Sequence, residues 1–172
     1  MEKLDIVLYP EEGLRQVCAP VPEMTDELDK LIDEMFYTMY DAPGIGLAAP
    51  QVAVQQRLIV VDVSESKDQP IALLNPVVVD SKGEIEWEEG CLSIPGAYGK
   101  VKRPSEILVR GMDRDGKTVE FEAQDLLAVC IQHEIDHLNG KLFIDHLSGL
   151  KRRRAIQQFK KHLAEKEAEA SR

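Results

Sequence analysis

The stretch Asp125-Leu126-Leu127-Ala128-Val129-Cys130-Ile131-Gln132-His133-Glu134-Ile135-Asp136-His137-Leu138 sets the reading of the whole sequence. Leu126, Val129, Cys130, His133 and His137 recur at spacings of three and four, which places them on one face of a helix. Asp125 stands at the expected cap and Gly140 at the expected stop. Histidines at i and i+4 lie one turn apart on the same side, so their imidazoles can converge on one cation. Glu134 is rotated by about 100° from His133 and can reach a water beside that cation without taking a ligand position. The histidines continue an apolar face, so they are predicted to be buried, and a buried polar group needs a partner. Two imidazoles with a carboxylate beside them form an apparatus for activating water.

A catalytic site of this kind needs a third protein ligand and one open position. In the extended metalloprotease pattern Gly140 falls on the expected glycine, but the next ligand position is Phe143, which cannot ligate. The downstream glutamates Glu165, Glu167 and Glu169 belong to a charged stretch that reads as solvated. Both protease patterns therefore lack a ligand. Upstream, Glu89-Gly90-Cys91-Leu92-Ser93 offers Cys91 at the end of a predicted strand, giving two nitrogens, one sulfur and an open corner. A free cysteine also buries as a small hydrophobe, which is the reading for Cys18 and Cys130. His146 and His162 are read as surface residues. A cysteine hydrolase built on Cys91 and His133 and a non-catalytic, metal-stabilised binding protein remain open at this point.

Around this helix the remaining elements are short. Thr25 reads as an N-cap, with Asp26 and Glu27 favouring the positive end of a helix, and Leu28, Leu31, Ile32, Met35, Phe36 and Met39 form its apolar stripe, which ends before Pro43-Gly44. Residues 1–22, with Pro10, Pro20 and Pro22, read as an extended lead-in. The segment Gly44-Ile45-Gly46-Leu47-Ala48-Ala49-Pro50-Gln51 is small and glycine-punctuated, suited to close backbone approach. Residues 58–63 and 71–79 are β-branched strand runs, and residues 83–95 contain another extended segment. Ile107 and Val109 pair naturally with Val119 and Phe121 across the turn at residues 113–117. A last helix is predicted from Leu150 to about Ala170, with Ile156, Phe159 and Leu163 on one side. Trp87, the sole tryptophan, suits either core packing or a pocket rim.

The 172 residues make one domain, with residues 1–150 as its catalytic part and 151–172 as a charged helix of the same unit. Twenty-one Lys and Arg against 31 Asp and Glu give a net charge of −10, which argues against a nucleic-acid groove as the main surface and against DNA as a partner. Three cysteines without a CxxC pair do not form a secreted disulfide framework. No basic-then-apolar leader or membrane-length apolar run is present, so the expectation is a cytoplasmic protein without membrane attachment. The basic run Lys151-Arg152-Arg153-Arg154, continued by Lys160 and Lys161, suits either a solvated face with pairs such as Lys161 with Glu165 or an RNA contact.

Three segments in order, Gly44 to Gln51, Glu89 to Ser93 and Gln132 to His137, together resemble the three motifs of the peptide deformylases, and the likeness runs from the start of the chain to about residue 150. The resemblance implies an α+β fold in which antiparallel β-sheets surround a central helix bearing the metal histidines, followed by a C-terminal helix. It implies removal of the N-formyl group from the first methionine of new polypeptides, releasing formate. It implies that Cys91, His133 and His137 hold one divalent ion, iron(II) in the cell, with zinc, nickel or cobalt accepted in purified protein. Glu134 would carry the proton, Gln51 and the Leu92 N–H would hold the formyl oxygen, and Gly46 would touch substrate through its backbone. Ile45, Leu126, Val129 and Cys130 would line the methionine pocket. The partners implied are formyl-methionyl nascent peptides and, through the basic C-terminal helix, the ribosome.

Overall fold

Thr25 caps the first helix, α1 (Asp26–Asp41), its hydroxyl accepting the Leu28 N–H at 3.2 Å. The computed structural model describes residues 1–171. The α1 stripe is buried at Leu28, Ile32, Met35 and Met39, and it packs on Leu58 and Val60. Those two residues belong to β2 (Leu58–Val61), which pairs with β1 (Gly46–Ala48) on one side and β3 (Ile71–Lys82) on the other. The intervening β2 residues, Ile59 and Val61, face the opposite way and pack with Ala128, Ile131 and Leu138. The continuous apolar run of β2 thus follows from period-two alternation between two helices, with no polar face left over.

Strands β6 (Glu106–Met112) and β7 (Thr118–Gln124) form the expected hairpin and complete an antiparallel sheet of order β1-β2-β3-β6-β7. β3 runs three residues past the predicted end. It tolerates Pro76 because the β3–β6 register shifts between Leu74 and Val77, a bulge that leaves the missing N–H out of the ladder. Asn75 sits there at φ +52 and binds both the N–H and C=O of Val21, at 2.7 and 2.8 Å. A second, two-stranded sheet consists of β4 (Ile85–Glu89) and β5 (Gly99–Arg103).

Helix α2 (Asp125–Leu138) lies between the two sheets: one side packs on the large sheet, and the other meets the ends of β4 and β5 through the Glu89 and Arg103 side chains. The fold is α+β, with antiparallel sheets around a central helix. Asp125 opens α2 instead of capping it. The N-cap is Gln124 without a side-chain bond, and Asp125 takes φ +53 as the chain turns out of β7, its N–H held by the Ser105 carbonyl. Gly140 ends the helix as predicted, at φ +72. The amino-terminal lead-in is not wholly extended. It makes a 3-10 turn at Glu12–Arg15 that buries Leu14, clamped by Arg15 on Asp145 at 2.6 and 3.1 Å.

Helix α3 (Gly149–Ala170) is capped by Ser148, which accepts the Lys151 N–H. Ala155 and Phe159 are buried in a third cluster with Ile94, Val101, Phe143 and Leu147, and Ile156 and Leu163 pack partly against it. No helix among the described residues is long and apolar enough to cross a membrane.

Candidate metal centre and its cleft

The inward face of α2 carries Val129, Cys130, His133, Glu134 and His137, all buried. Two residues beyond the end of β4, Cys91 turns its sulfur toward the same point. The donor atoms of Cys91, His133 and His137 all lie within 4.8 Å of one another, and Cys91 Sγ is 3.3 Å from His137 Nε2. The two imidazoles cross at 65° with centroids 5.1 Å apart, as expected for side chains one helical turn apart turning toward a common point.

The His133 ring is fixed on two sides. Its Nδ1 meets Glu89 Oε1 at 2.9 Å, leaving Nε2 for the cluster, and Phe143 stacks near its face at 6.3 Å and 22°. Glu89 is itself gripped by Arg103, whose Nε and Nη2 donate to both carboxylate oxygens at 2.6 and 2.9 Å. Arg103 Nη1 continues to Asp136 Oδ2 at 2.9 Å, which also meets the exposed His146 Nε2 at 2.9 Å. Burial alone would raise the Glu89 carboxyl, but the bonds from His133 and Arg103 hold it down to about 2. A fixed carboxylate behind a ligating histidine sets its tautomer and orientation.

Glu134 is the uncompensated group. Its Oε1 is buried without a hydrogen-bond partner, as is His137 Nδ1. Burial first, then the nearby Glu89 charge, pushes its carboxyl up to about 7 against the opposing pull of His133. Burial would discharge His133, yet Glu134, Cys91 and Glu89 draw a proton onto it. The cluster therefore attracts positive charge into a dry place, and a divalent cation on the sulfur and two nitrogens fits both that demand and the donor chemistry.

Gly46 lies against this carboxylate. A Cβ there would meet Glu134 Oε2 inside contact distance and Cys130 Sγ at 2.8 Å, so the glycine's first task is to make room for Glu134. Gln51 is 1% exposed; its Oε1 accepts the Ala48 N–H, and its Nε2 donates to Ser93 Oγ at 3.1 Å while standing 3.5 Å from Cys91 Sγ. The amide donor is thus aimed beside the cluster, with its long sulfur contact the one to give way to an incoming acceptor.

These groups open into a cleft of about 600 Å³ that includes Gly46, Gln51, Leu92, Leu126, Val129 and Cys130, a size that holds a small ligand and not merely one side chain (about 300–1,000 Å³). Ile45 and Trp87 stand at its mouth, 43% and 40% exposed; for Trp87 this is the rim and not the core. The Cys130 sulfur points to the Ile45 carbonyl at 3.5 Å, and burial pushes its thiol well up. Cys18 is buried as a small hydrophobe.

His162 is not a plain surface residue; it and Lys166 line the cleft from α3. The suggested Lys161–Glu165 pair does not form among the described residues, where Lys166 pairs instead with Glu169 at 3.9 Å. Three supporting residues, Glu89, Arg103 and Phe143, join the site only in the folded chain. Glu89 directly precedes the Gly-Cys pair, which was a usable signal. An arginine closing the lysine-rich run Lys100-Val101-Lys102-Arg103, and a phenylalanine read only as unable to ligate, give none.

Residues 3–153 match the sequence profile described as polypeptide deformylase. A peptide deformylase of Hydrogenovibrio crunogenus is 84% identical over 165 residues, covering 96% of this chain and 98% of the relative. Among solved structures, a peptide deformylase from Legionella pneumophila superposes with a TM-score of 0.89 at 49% identity, over 95% of this chain and 98% of that one. A peptide deformylase from Synechococcus elongatus in complex with actinonin does so with a TM-score of 0.87 at 43% identity, over 90% and 86%.

Proposed function

The chain belongs to the polypeptide deformylase family, and from that premise we propose how its residues perform the family's reaction. The enzyme removes the N-formyl group from the amino-terminal methionine of newly made polypeptides: water adds to the formyl carbon, the C–N bond breaks, and formate leaves. The reaction is metal-dependent. Cys91 Sγ and the free imidazole nitrogens of His133 and His137 would hold the ion, iron(II) in the cell. When bound, such an ion acidifies water and polarises a carbonyl oxygen.

The protein residues do the rest. Glu134 accepts the water proton on its carboxylate and returns it to the leaving nitrogen, and burial, which raises the carboxyl, makes it a better proton acceptor. Gln51 Nε2 and the Leu92 N–H donate to the formyl oxygen as charge builds on it, each worth about 3–4 kcal/mol in such a position. Gly46 contacts the peptide through its backbone. Ile45, Leu126, Val129 and Cys130 hold the methionine side chain, a pocket that discriminates by only about 1–3 kcal/mol per methylene. Selectivity for formyl therefore comes from crowding at the cluster, where hydrogen alone fits on the carbonyl carbon. Residues 151–172 complete this same catalytic unit, and their exposed cations Lys151, Arg153, Arg154, Lys160 and Lys161 dock on ribosomal RNA in the cytoplasm. Arg152 is spent within the fold, its Nε on the Ile144 carbonyl at 3.1 Å.

The observation that carries the reading is the convergence of Cys91, His133 and His137 beside a buried carboxylate with an unpartnered oxygen. Formate release from formyl-Met-Ala-Ser tests it. Activity should disappear on chelation and return with iron(II) under anaerobic conditions. Glu134→Gln should keep its metal while turnover falls about 10²–10⁴-fold. Activity that survives chelation would return the choice to a cysteine hydrolase.

A further inference from the structure

We propose that His162 and Lys166 of α3 form a subsite for the downstream part of the substrate peptide, with Lys166 favouring a carboxylate side chain there. The inference rests on the deformylation reading and extends it to residues beyond position 153, where the match to the family profile ends. Both side chains line the cleft that contains Cys91, His133 and Glu134. They are four residues apart on a helix, so they face the cleft together.

The wall they make is held firmly. Phe159 and Ala155 are 3% and 1% exposed, the Phe159 ring meets Tyr9 edge-on at 6.0 Å, and Gln158 Oε1 accepts the Tyr98 N–H at 3.3 Å. Gly96, at φ +83, lets α3 come closest: a Cβ there would stand 2.5 Å from His162 Cβ. A side chain carried on a docked helix is placed more reproducibly than one on a loop. Among the described residues the Lys166 ammonium is paired with Glu169 at 3.9 Å in an exposed contact, one of little energy that a substrate carboxylate can replace. Glu88 also lines the cleft, and its cross-strand neighbour in the β4–β5 register is Lys100. Lys166 is the one lysine or arginine among the described residues lining the cleft, and a peptide reaching past the methionine pocket meets it.

The test uses the metal-loaded, full-length enzyme and amidated formyl-Met pentapeptides in which one Asp or Lys is walked through positions two to five. At one position the Asp peptide should exceed the Lys peptide in kcat/KM by about two- to fivefold at low salt, carried by KM. That ratio should shrink toward one at high ionic strength. Lys166→Glu should invert it, and because the ratio is internal to each enzyme, an overall loss of turnover cancels. An Asp-to-Lys ratio identical in wild type and Lys166→Glu at every position would overturn the subsite. Absence of formate release from every peptide would overturn the deformylation reading beneath it.

Discussion

Gly46 and Glu134 illustrate how narrowly the groups of the cleft are fitted. The space that a methyl group would take at position 46 is filled by the Glu134 carboxylate and the Cys130 sulfur. Gly46→Ala should therefore leave the sulfur and imidazoles in place while displacing the Glu134 carboxylate. Metal stoichiometry by elemental analysis should stay near wild type while kcat falls by about 10²-fold or more. An unchanged kcat would mean that Glu134 is not needed where the structure holds it. Arg103 makes a second residue-scale case. It grips both oxygens of Glu89, whose other described ion-pair partner is His133 at 2.9 Å, and Arg103 and Glu89 are both buried. Arg103→Met should strand a buried carboxylate, costing about 3–5 kcal/mol of stability. Loosening the grip on His133 should also weaken metal binding by about 10–100-fold. Thermal melts of metal-free protein and a metal competition titration separate the two effects.

At the scale of elements, the sequence was most legible where the signal is local. The Thr25 cap, the α1 stripe, the apolar run of β2 and the β6–β7 hairpin each announce themselves within a dozen residues. Strand β5 did not: Val101 is the only apolar residue in Gly99-Lys100-Val101-Lys102-Arg103, and the strand exists because β4 supplies its ladder. The inward turn of His162 was hidden for the same reason, since a histidine in a charged helix looks identical whether it faces solvent or a cleft. The candidate metal-ligand trio was legible because two of its members share one helix turn, whereas Glu89, Arg103 and Phe143 join them only through tertiary packing. The 3-10 turn at Glu12–Arg15 and the one at Phe143–His146 are tied by Arg15 and Asp145. Partial burial raises the Asp145 carboxyl, but Arg15 and the Leu142 N–H outweigh it and hold the group below its ordinary 3.8. A depressed carboxyl contributes stability above its unfolded pKa and loses it as pH falls through the folded value. The Tm gap between wild type and Arg15→Leu should thus be constant above about pH 5 and narrow on further acidification. A gap independent of pH would show that the arginine acts only through packing and its bond to the Gly140 carbonyl.

For the whole molecule, the acidic net charge and the basic face of α3 make opposite demands on a polyanionic partner. Removing everything after residue 150 is a poor test of that face, because it also removes Ala155 and Phe159 from the third core cluster. Charge reversal at Arg153 and Arg154, both exposed, leaves the core intact. Co-sedimentation with ribosomes should fall severalfold and become less salt-dependent, while hydrolysis of formyl-Met-Ala-Ser stays at the wild-type rate. Undiminished co-sedimentation would remove the ribosome from the account.

The order of the donors along the chain has a consequence for biosynthesis. Synthesis delivers Cys91 more than forty positions before His137, and the imidazoles are set only once α2 has settled between the sheets. Until then the thiol is an unguarded nucleophile in a growing polypeptide, with neither imidazole beside it. An ion held by all three groups would thus be captured late in maturation, and the sulfur would lack that protection until α2 has packed between the sheets.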